Sequence, residues 1–328
     1  MNGRVLLSSS AELVGWHALR LCEGRGMRPR PSMTKGVPPA PSILRVYLLA
    51  FIVLFAAALQ SALCDDPAGT NKELVEAWLK VSRQHAQDYV IHPVGAPKEE
   101  FSLLPQAVFR HSQPVRGDDI GAVYLWIDKD KRPAVIASVF AFTHEGDTRT
   151  VAHELHSLAN QPIEAIWRHQ PRWRTRAAGL TWQTVPNSPL ADKTAQGRQR
   201  QAREIARRFH AESIDHKGGR WELRLVPRPI YQFDVEAPTK VVGGSLSVFC
   251  QGTDPELVLA IEARRVNDEL RWHYAPATFS DHALRLRLDD REVWSNKEWS
   301  SNSDGPYWCD AASKERLSDT KPRKESSP

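Results

Sequence analysis

Three neighbouring residues, His153, Glu154 and His156, have side chains that could carry out proton-transfer chemistry. Imidazole and carboxylate groups can act together as general acid and base, so these residues are the candidate catalytic groups of a hydrolase. The helical zinc-protease signature needs histidines about four residues apart, whereas these are three apart. On a β-strand this spacing directs His153 and His156 to opposite faces, so no shared metal and no other cofactor is predicted.

A basic and aromatic segment between Trp167 and Arg176 is the second candidate site. Cations interleaved with aromatic rings can hold an anionic polymer, and the candidate binding residues here are Arg168, Arg172, Trp173, Arg174 and Arg176. The predicted second helix adds Lys193, Arg198, Arg200, Arg203, Arg207 and Arg208. The alternative is ordinary surface packing, with arginines stacked on tryptophans and helix charges facing solvent.

Sequence motifs of the common enzyme classes are absent from the chain. It contains no GxSxG nucleophile elbow, P-loop, CxxC, GxGxxG or HExxH motif. The sequence therefore does not decide whether the protein is an enzyme.

An apolar segment near the N-terminus indicates export. Residues 46–59 read VYLLAFIVLFAAAL, directly after Arg45. A basic flank, a short apolar core and a small-residue end are the parts of a secretory signal peptide, here predicted to be cleaved after Cys64. The alternative is an uncleaved membrane anchor over 46–64, since a span needs roughly twenty apolar residues. Either way the protein is expected outside the cytoplasm, in the periplasm or the extracellular space.

The positive charge of the chain lies in this N-terminal region. The whole chain has 44 Lys and Arg against 39 Asp and Glu, but residues 1–64 hold seven of the former and two of the latter. The remainder is neutral, so a pI near 9.0 is no evidence for a nucleic-acid partner. An anionic envelope polymer or a protein is the expected partner. The long polar stretch before the apolar core favours a true start at Met33 or Met27 rather than Met1.

Two cysteines, Cys250 and Cys309, remain after the predicted cleavage. In an oxidising compartment they are a candidate disulfide pair. Cys250 lies in an apolar strand pattern, where a buried free thiol is the alternative.

Apolar periodicity predicts two helices among many strands. One helix is expected over 70–90, capped by Asn71, and the other over 193–212. Strands are expected at 121–127 and 134–142, joined as an antiparallel hairpin, and again from Arg149 to Leu158. A meander of five strands follows over 221–288, with glycine-rich turns.

These elements predict an α+β fold with two helices and predominantly antiparallel β meanders. The order helix, strands, helix, strands also allows two lobes, with a boundary near the proline-rich stretch 170–192. Residues 1–64 form an N-terminal extension and signal peptide, 65–310 the exported domain, and 311–328 a polar, disordered tail.

Two runs of sequence resemble a family of exported planctomycete proteins of unknown function. They are GAVYLWIDKDKRPAVIASVF followed by VAHELHSL, and VFCQGTDPELVLAIEARR followed by LRWHYAPATF. The resemblance covers most of 70–295 and implies a shared fold and export, without a reaction or ligand. The expected function is a non-catalytic binding module for an envelope component or partner protein. The alternative is a cell-envelope hydrolase using His153, Glu154 and His156.

Overall fold

Two helices and eighteen strands make up the part of the chain that the structure, a computed structural model, describes: residues 67–113, 119–145, 148–235, 240–297 and 304–317. The first half contains α1 Pro67–Gln87, β1 Tyr89–Pro93, β2 Ser102–Leu103, β3 Phe109–Gln113, β4 Asp119–Ile127, β5 Pro133–Glu145, β6 Thr148–Ser157, β7 Ile163–Trp167, β8 Gln170–Arg174 and β9 Gln183–Thr184. The second half contains α2 Ala195–Ala206, β10 Phe209–Ile214, β11 Arg220–Leu225, β12 Tyr231–Asp234, β13 Val241–Gln251, β14 Asp254–Val266, β15 Glu269–Thr278, β16 Ala283–Leu288, β17 Arg291–Ser295 and β18 Tyr307–Glu315.

The described strands pair antiparallel in three sheets, which confirms the predicted α+β class with antiparallel meanders. One sheet has the order β18-β6-β5-β4-β2, with β3 also on β4. A second has the order β17-β16-β10-β11-β13-β14-β15-β9, with β12 also on β13, and the third is β1-β7-β8. The hairpin predicted between 121–127 and 134–142 is confirmed as β4 and β5.

The two halves repeat one another strand for strand, from α1 and β1–β9 to α2 and β10–β18. Phe109 on β3 lies opposite Val123 on β4, and Tyr231 on β12 lies opposite Leu246 on β13 in the same way. Each half also gives its last strand to the sheet of the other half. Strand β18 of the second half pairs with β6, and β9 of the first half pairs with β15. The fold is therefore an internal duplication.

An ion pair occurs at the same place in each half with its charges exchanged. In the first half the Arg168 amide donates to the Asp88 carbonyl at 3.2 Å, and the Arg168 side chain donates to the Asp88 carboxylate at 2.8 Å. In the second half the Asp289 amide donates to the Arg208 carbonyl at 3.2 Å, and the Arg208 side chain pairs with the Asp289 carboxylate. Exchanging the two charges preserves the ion pair. Because matched positions then carry different residue types, the repeat is not visible in the sequence.

Apolar side chains of both halves pack against each other in a central layer. Alternation along each strand directs every second residue into this layer, and its members include Val123, Leu125, Ile136, Leu246, Val248, Val258, Ala275 and Ala277. Helix α1 covers the opposite face of the first sheet through Trp78, and α2 covers the second sheet through Ile205. The described residues all belong to one compact unit. The expected lobe boundary at 170–192 contains β8, which pairs with β7, and β9, which pairs with β15 of the second half.

Element ends differ from the sequence predictions in three places. Helix α1 begins at Pro67, so Asn71 lies inside it, and α2 ends at Ala206, where the chain turns into β10. The C-terminal end of the helix predicted over 193–212 is therefore wrong. The apolar residue Phe209 fits the spacing of a buried helical stripe, but it lies in a buried strand. The predicted disordered tail is wrong for 311–315, which continue strand β18 along β6.

None of the helices in the described part of the chain has the length and apolar character needed to cross a membrane. The predicted signal or anchor segment 46–64, its cleavage point and the candidate starts at Met1, Met27 and Met33 lie outside the described residues.

Candidate functional site

The three predicted catalytic residues lie on β6 and do not form one site. His153 points under α1, where it packs with Trp167 at a ring-centroid distance of 5.0 Å. Glu154 and His156 point to the opposite face of the sheet, toward the layer between the halves. All three side chains are buried. The strand interpretation of their spacing is thus confirmed, and it separates the candidate acid and base groups.

His153 belongs to a buried chain of hydrogen bonds that ends near the surface. The Tyr89 hydroxyl lies 2.8 Å from His153 Nδ1, and His153 Nε2 lies 2.8 Å from His85 Nδ1. His85 Nε2 is 3.3 Å from a carboxylate oxygen of Glu315, a partly exposed residue of β18. One set of tautomers satisfies every contact: Tyr89 donates to His153, His153 to His85, and His85 to Glu315.

Both histidines of this chain are held neutral. Burial lowers the pKa of His153 to about 2, with further lowering by the neighbouring His85 imidazole and by the positive charges of Arg172 and Arg168. Burial also lowers the pKa of His85. Sequence analysis missed His85 and Tyr89, although His85 continues the buried stripe of α1 that runs from Trp78 through Ser82.

The second half fills the equivalent positions without a histidine pair. Counting from the matched strands, His85, Tyr89 and His153 correspond to Ile205, Phe209 and Tyr274. The Phe209 and Tyr274 rings lie 4.9 Å apart in its core. The fold therefore does not require polar side chains at these positions.

Glu154 is a buried carboxyl that accepts a hydrogen bond at 2.5 Å from the Tyr307 hydroxyl on β18. Burial raises its pKa well above the usual range, and the negative charges of Asp254, Glu256 and Asp281 raise it further. His156 nearby donates from Nδ1 to the Ser157 carbonyl at 2.8 Å, and burial lowers its pKa to about 4. Glu154 is thus held as a neutral acid beside a neutral imidazole.

Replacing Glu154 by glutamine is expected to raise the free energy of unfolding at pH 7 by about 1–3 kcal/mol. The folded state holds the Glu154 proton to a higher pH than the unfolded chain does, so the contribution of this one group to wild-type stability falls as the pH rises above about 4. Glutamine keeps the acceptor for Tyr307 but carries no charge. Chemical denaturation between about pH 4 and 8 measures the difference.

The matched control is Glu204→Gln on the exposed face of α2, which should leave the pH dependence unchanged. If the free energies of unfolding of the wild type and Glu154→Gln depended on pH in the same way, the assignment of Glu154 as a protonated carboxyl in the folded state would be wrong.

The predicted binding segment 168–176 has most of its arginines in ion pairs. Arg168 pairs with Asp88, Arg172 with Asp310 at 3.0 Å, and Arg176 with Asp304. The same arginines stack on tryptophans, with Arg168 centred 4.3 Å from the Trp167 ring and Arg172 5.0 Å from the Trp308 ring.

Trp173 of the same segment is buried and donates to the Gly305 carbonyl at 3.1 Å, while Arg174 is exposed. These contacts hold β8 against the segment around β18. A binding role for the five residues stays a prediction.

Arginines of the second half instead line a pocket of about 400 Å³. Arg203 lies in the last turn of α2, Arg207 follows it, and Arg224 comes from β11. The described ion pairs include none of these three arginines, and all three are exposed. Sequence analysis singled out Arg203 and Arg207 but missed Arg224, because only the fold brings β11 beside the end of α2.

The remaining lining of the pocket is mixed. His210 and Glu222 add one imidazole and one carboxylate at the rim, while Leu223 and Phe249 form a buried apolar floor. The guanidinium groups of Arg203 and Arg207 make the pocket electropositive, whereas the Arg224 guanidinium donates to the Gly252 carbonyl at 3.3 Å. Such a surface can hold an anionic group against an apolar base.

The predicted disulfide is not formed, since Cys250 and Cys309 are both free. Cys250 lies on β13 in the central layer, whereas Cys309 lies on β18 opposite Glu154, in a different sheet. Burial raises the pKa of Cys250 to about 12 and also raises that of Cys309. The raised pKa of each thiol disfavours the reactive thiolate in the folded protein.

No protein-family model, curated protein or solved structure matches this chain.

Proposed function

We propose that the protein is an exported, non-catalytic binding module that holds an anionic envelope component in the arginine pocket of its second half. The observation that carries this proposal is the pair of exposed arginines, Arg203 and Arg207, that line one cavity and take no part in the described ion pairs. Arg168 and Arg172, by contrast, have carboxylate partners.

The pocket has the size and chemistry of a ligand site. Its volume of about 400 Å³ lies within the range of small-molecule pockets, roughly 300–1,000 Å³. Guanidinium groups form paired hydrogen bonds with carboxylates, phosphates and sulfates. The floor of Leu223 and Phe249 offers an apolar contact for the carbon skeleton of a sugar or similar unit. An acidic polysaccharide meets both requirements.

Export rests on the apolar segment 46–64 and places the pocket among envelope polymers. The hydrolase alternative receives less support, because His153 and Glu154 lie on opposite faces of β6 and both are buried. A water molecule and a substrate bond would have to reach them through the core.

The test measures binding of the full-length protein to three polymers of similar length: dextran sulfate, polyglutamate and neutral dextran. We expect binding to the two anionic polymers only, weakening as salt is added. Each of Arg203→Ala and Arg207→Ala should reduce affinity by about tenfold, since a hydrogen bond to a charged group contributes about 1.5–3 kcal/mol.

Arg200→Ala is the matched control, because Arg200 is an exposed arginine of the same helix that does not line the pocket. It should retain wild-type affinity. Unchanged binding by the Arg203→Ala and Arg207→Ala double variant, or equal binding of neutral dextran, would refute the proposal.

A further inference from the structure

Two loops at one end of the second half bring two histidines and an aspartate together. His216 lies in the turn between β10 and β11, while Asp281 and His282 lie in the turn between β15 and β16. Strands β10 and β16 are paired, with Ile214 opposite Ala283, so the two turns are neighbours. Residues about sixty-five positions apart in sequence thus converge by strand register.

The separations of these side chains suit a single metal ion. His216 Nε2 lies 3.6 Å from one carboxylate oxygen of Asp281, and His282 Nε2 lies 3.9 Å from the other. One ligand atom from each of the three residues can be chosen so that all lie within 4.8 Å of one another. Ligands of a tetrahedral zinc, at about 2.1 Å from the ion, are roughly 3.4 Å apart. Small side-chain rotations would complete the geometry.

The imidazole ring of His282 is held in place through its Nδ1 atom, as is common for metal-binding histidines that use the other ring nitrogen as ligand. Its Nδ1 lies 3.1 Å from the Ser213 hydroxyl and 3.8 Å from the carboxylate of Glu256, which is buried. These contacts direct Nε2 toward Asp281 and the solvent. His282 itself is largely buried, whereas His216 and Asp281 are half-exposed. The site is therefore both anchored and accessible.

Negative charge accumulates around this position. Asp254, Glu256 and Asp281 act together on the buried Glu154 carboxyl, whose pKa they raise beyond the effect of burial. A divalent cation held by Asp281 would relieve the repulsion among these carboxylates.

The first half provides an internal comparison. The residues that match Asp281 and His282 are Asn160 and Gln161, counted from the equivalent strands. Neither of these is a usual zinc ligand. The fold therefore forms this turn without histidine or aspartate.

We propose that His216, Asp281 and His282 bind one Zn²⁺ ion, with Glu256 and Ser213 orienting His282 as a ligand. The donor set is two imidazole nitrogens and one carboxylate, which suits zinc and leaves a fourth position for water or an anionic ligand atom. The site stands independently of the arginine pocket, whose lining shares none of these residues.

The test is calorimetric titration of the full-length protein with zinc chloride, together with native mass spectrometry of the complex. We expect one zinc ion per chain. The variants Asp281→Asn and His282→Gln carry the residues of the first half. Each of these two and His216→Ala should weaken binding at least tenfold. Glu256→Gln, behind His282, should weaken it by about 10- to 100-fold.

Cobalt substitution identifies the ligands directly. The Co²⁺ protein should show a visible spectrum without a thiolate-to-metal band, and Asp281→Asn should change that spectrum. Asp281 is half-exposed, so this variant should fold like the wild type, which its circular dichroism checks. A thiolate band, no zinc binding by the wild type, or wild-type zinc affinity in Asp281→Asn would overturn the proposal.

Discussion

Replacing His153 by leucine is expected to lower the free energy of unfolding by about 3–5 kcal/mol. The substitution leaves the Tyr89 hydroxyl and the Nδ1 atom of His85 without their partners, in a region from which water is excluded. An unpaired buried polar group loses its hydration without gaining a hydrogen bond, and here there are two. Urea denaturation of the wild type and the variant measures the loss.

Replacing all three polar side chains of this hydrogen-bond chain together should cost less stability than replacing His153 alone. Adding His85→Ile and Tyr89→Phe to His153→Leu introduces the apolar residues that Ile205 and Phe209 provide in the second half. The triple variant should recover at least about 2 kcal/mol relative to His153→Leu, since no buried group then lacks a partner. Independent, additive losses from the three substitutions would show that the hydrogen-bond chain is not coupled.

Gly179→Ala is expected to cost at least about 3 kcal/mol or to prevent folding. A Cβ atom at this position would lie 1.7 Å from the Ser157 carbonyl oxygen and 2.3 Å from its carbon. Ser157 ends β6 and is fully buried, so its backbone cannot move away without disturbing the sheet. Thermal and urea unfolding of the purified variant measure the effect.

Gly95→Ala separates this steric clash from backbone strain. Gly95 has φ +82°, but a Cβ there meets no atom within 4 Å. Its substitution should cost only about 1–2 kcal/mol, from the left-handed backbone conformation. Equal losses for the two variants would mean that the contact with Ser157 is not the cause.

The sequence allowed prediction of the strands but not of their larger arrangement. Runs such as GAVYLWI and AVIASVFAF are rich in β-branched and aromatic residues, and they form the predicted hairpin of β4 and β5. The duplication could not be seen, because matched positions carry opposite charges, as in Asp88 and Arg208. Matched core positions such as His153 and Tyr274 likewise differ in polarity.

Candidate sites were harder to predict because they combine residues from distant segments. The spacing of His153 and His156 correctly indicated opposite faces of a strand. The burial of both residues depends on α1 and on the second half, which no local pattern reveals. Arg224 joins Arg203 only through the pairing of β11 with its neighbours, and His216 meets His282 only through the register of β10 and β16.

Two similar halves within one chain can carry different residues at matched positions, whereas the two subunits of a homodimer cannot. In a homodimer every substitution occurs twice, so a costly group such as the buried Glu154 carboxyl would also occur twice. A single chain is free of that constraint, because each half varies separately. Here one half holds a buried histidine pair and the other holds exposed arginines, while both contribute to the shared central layer.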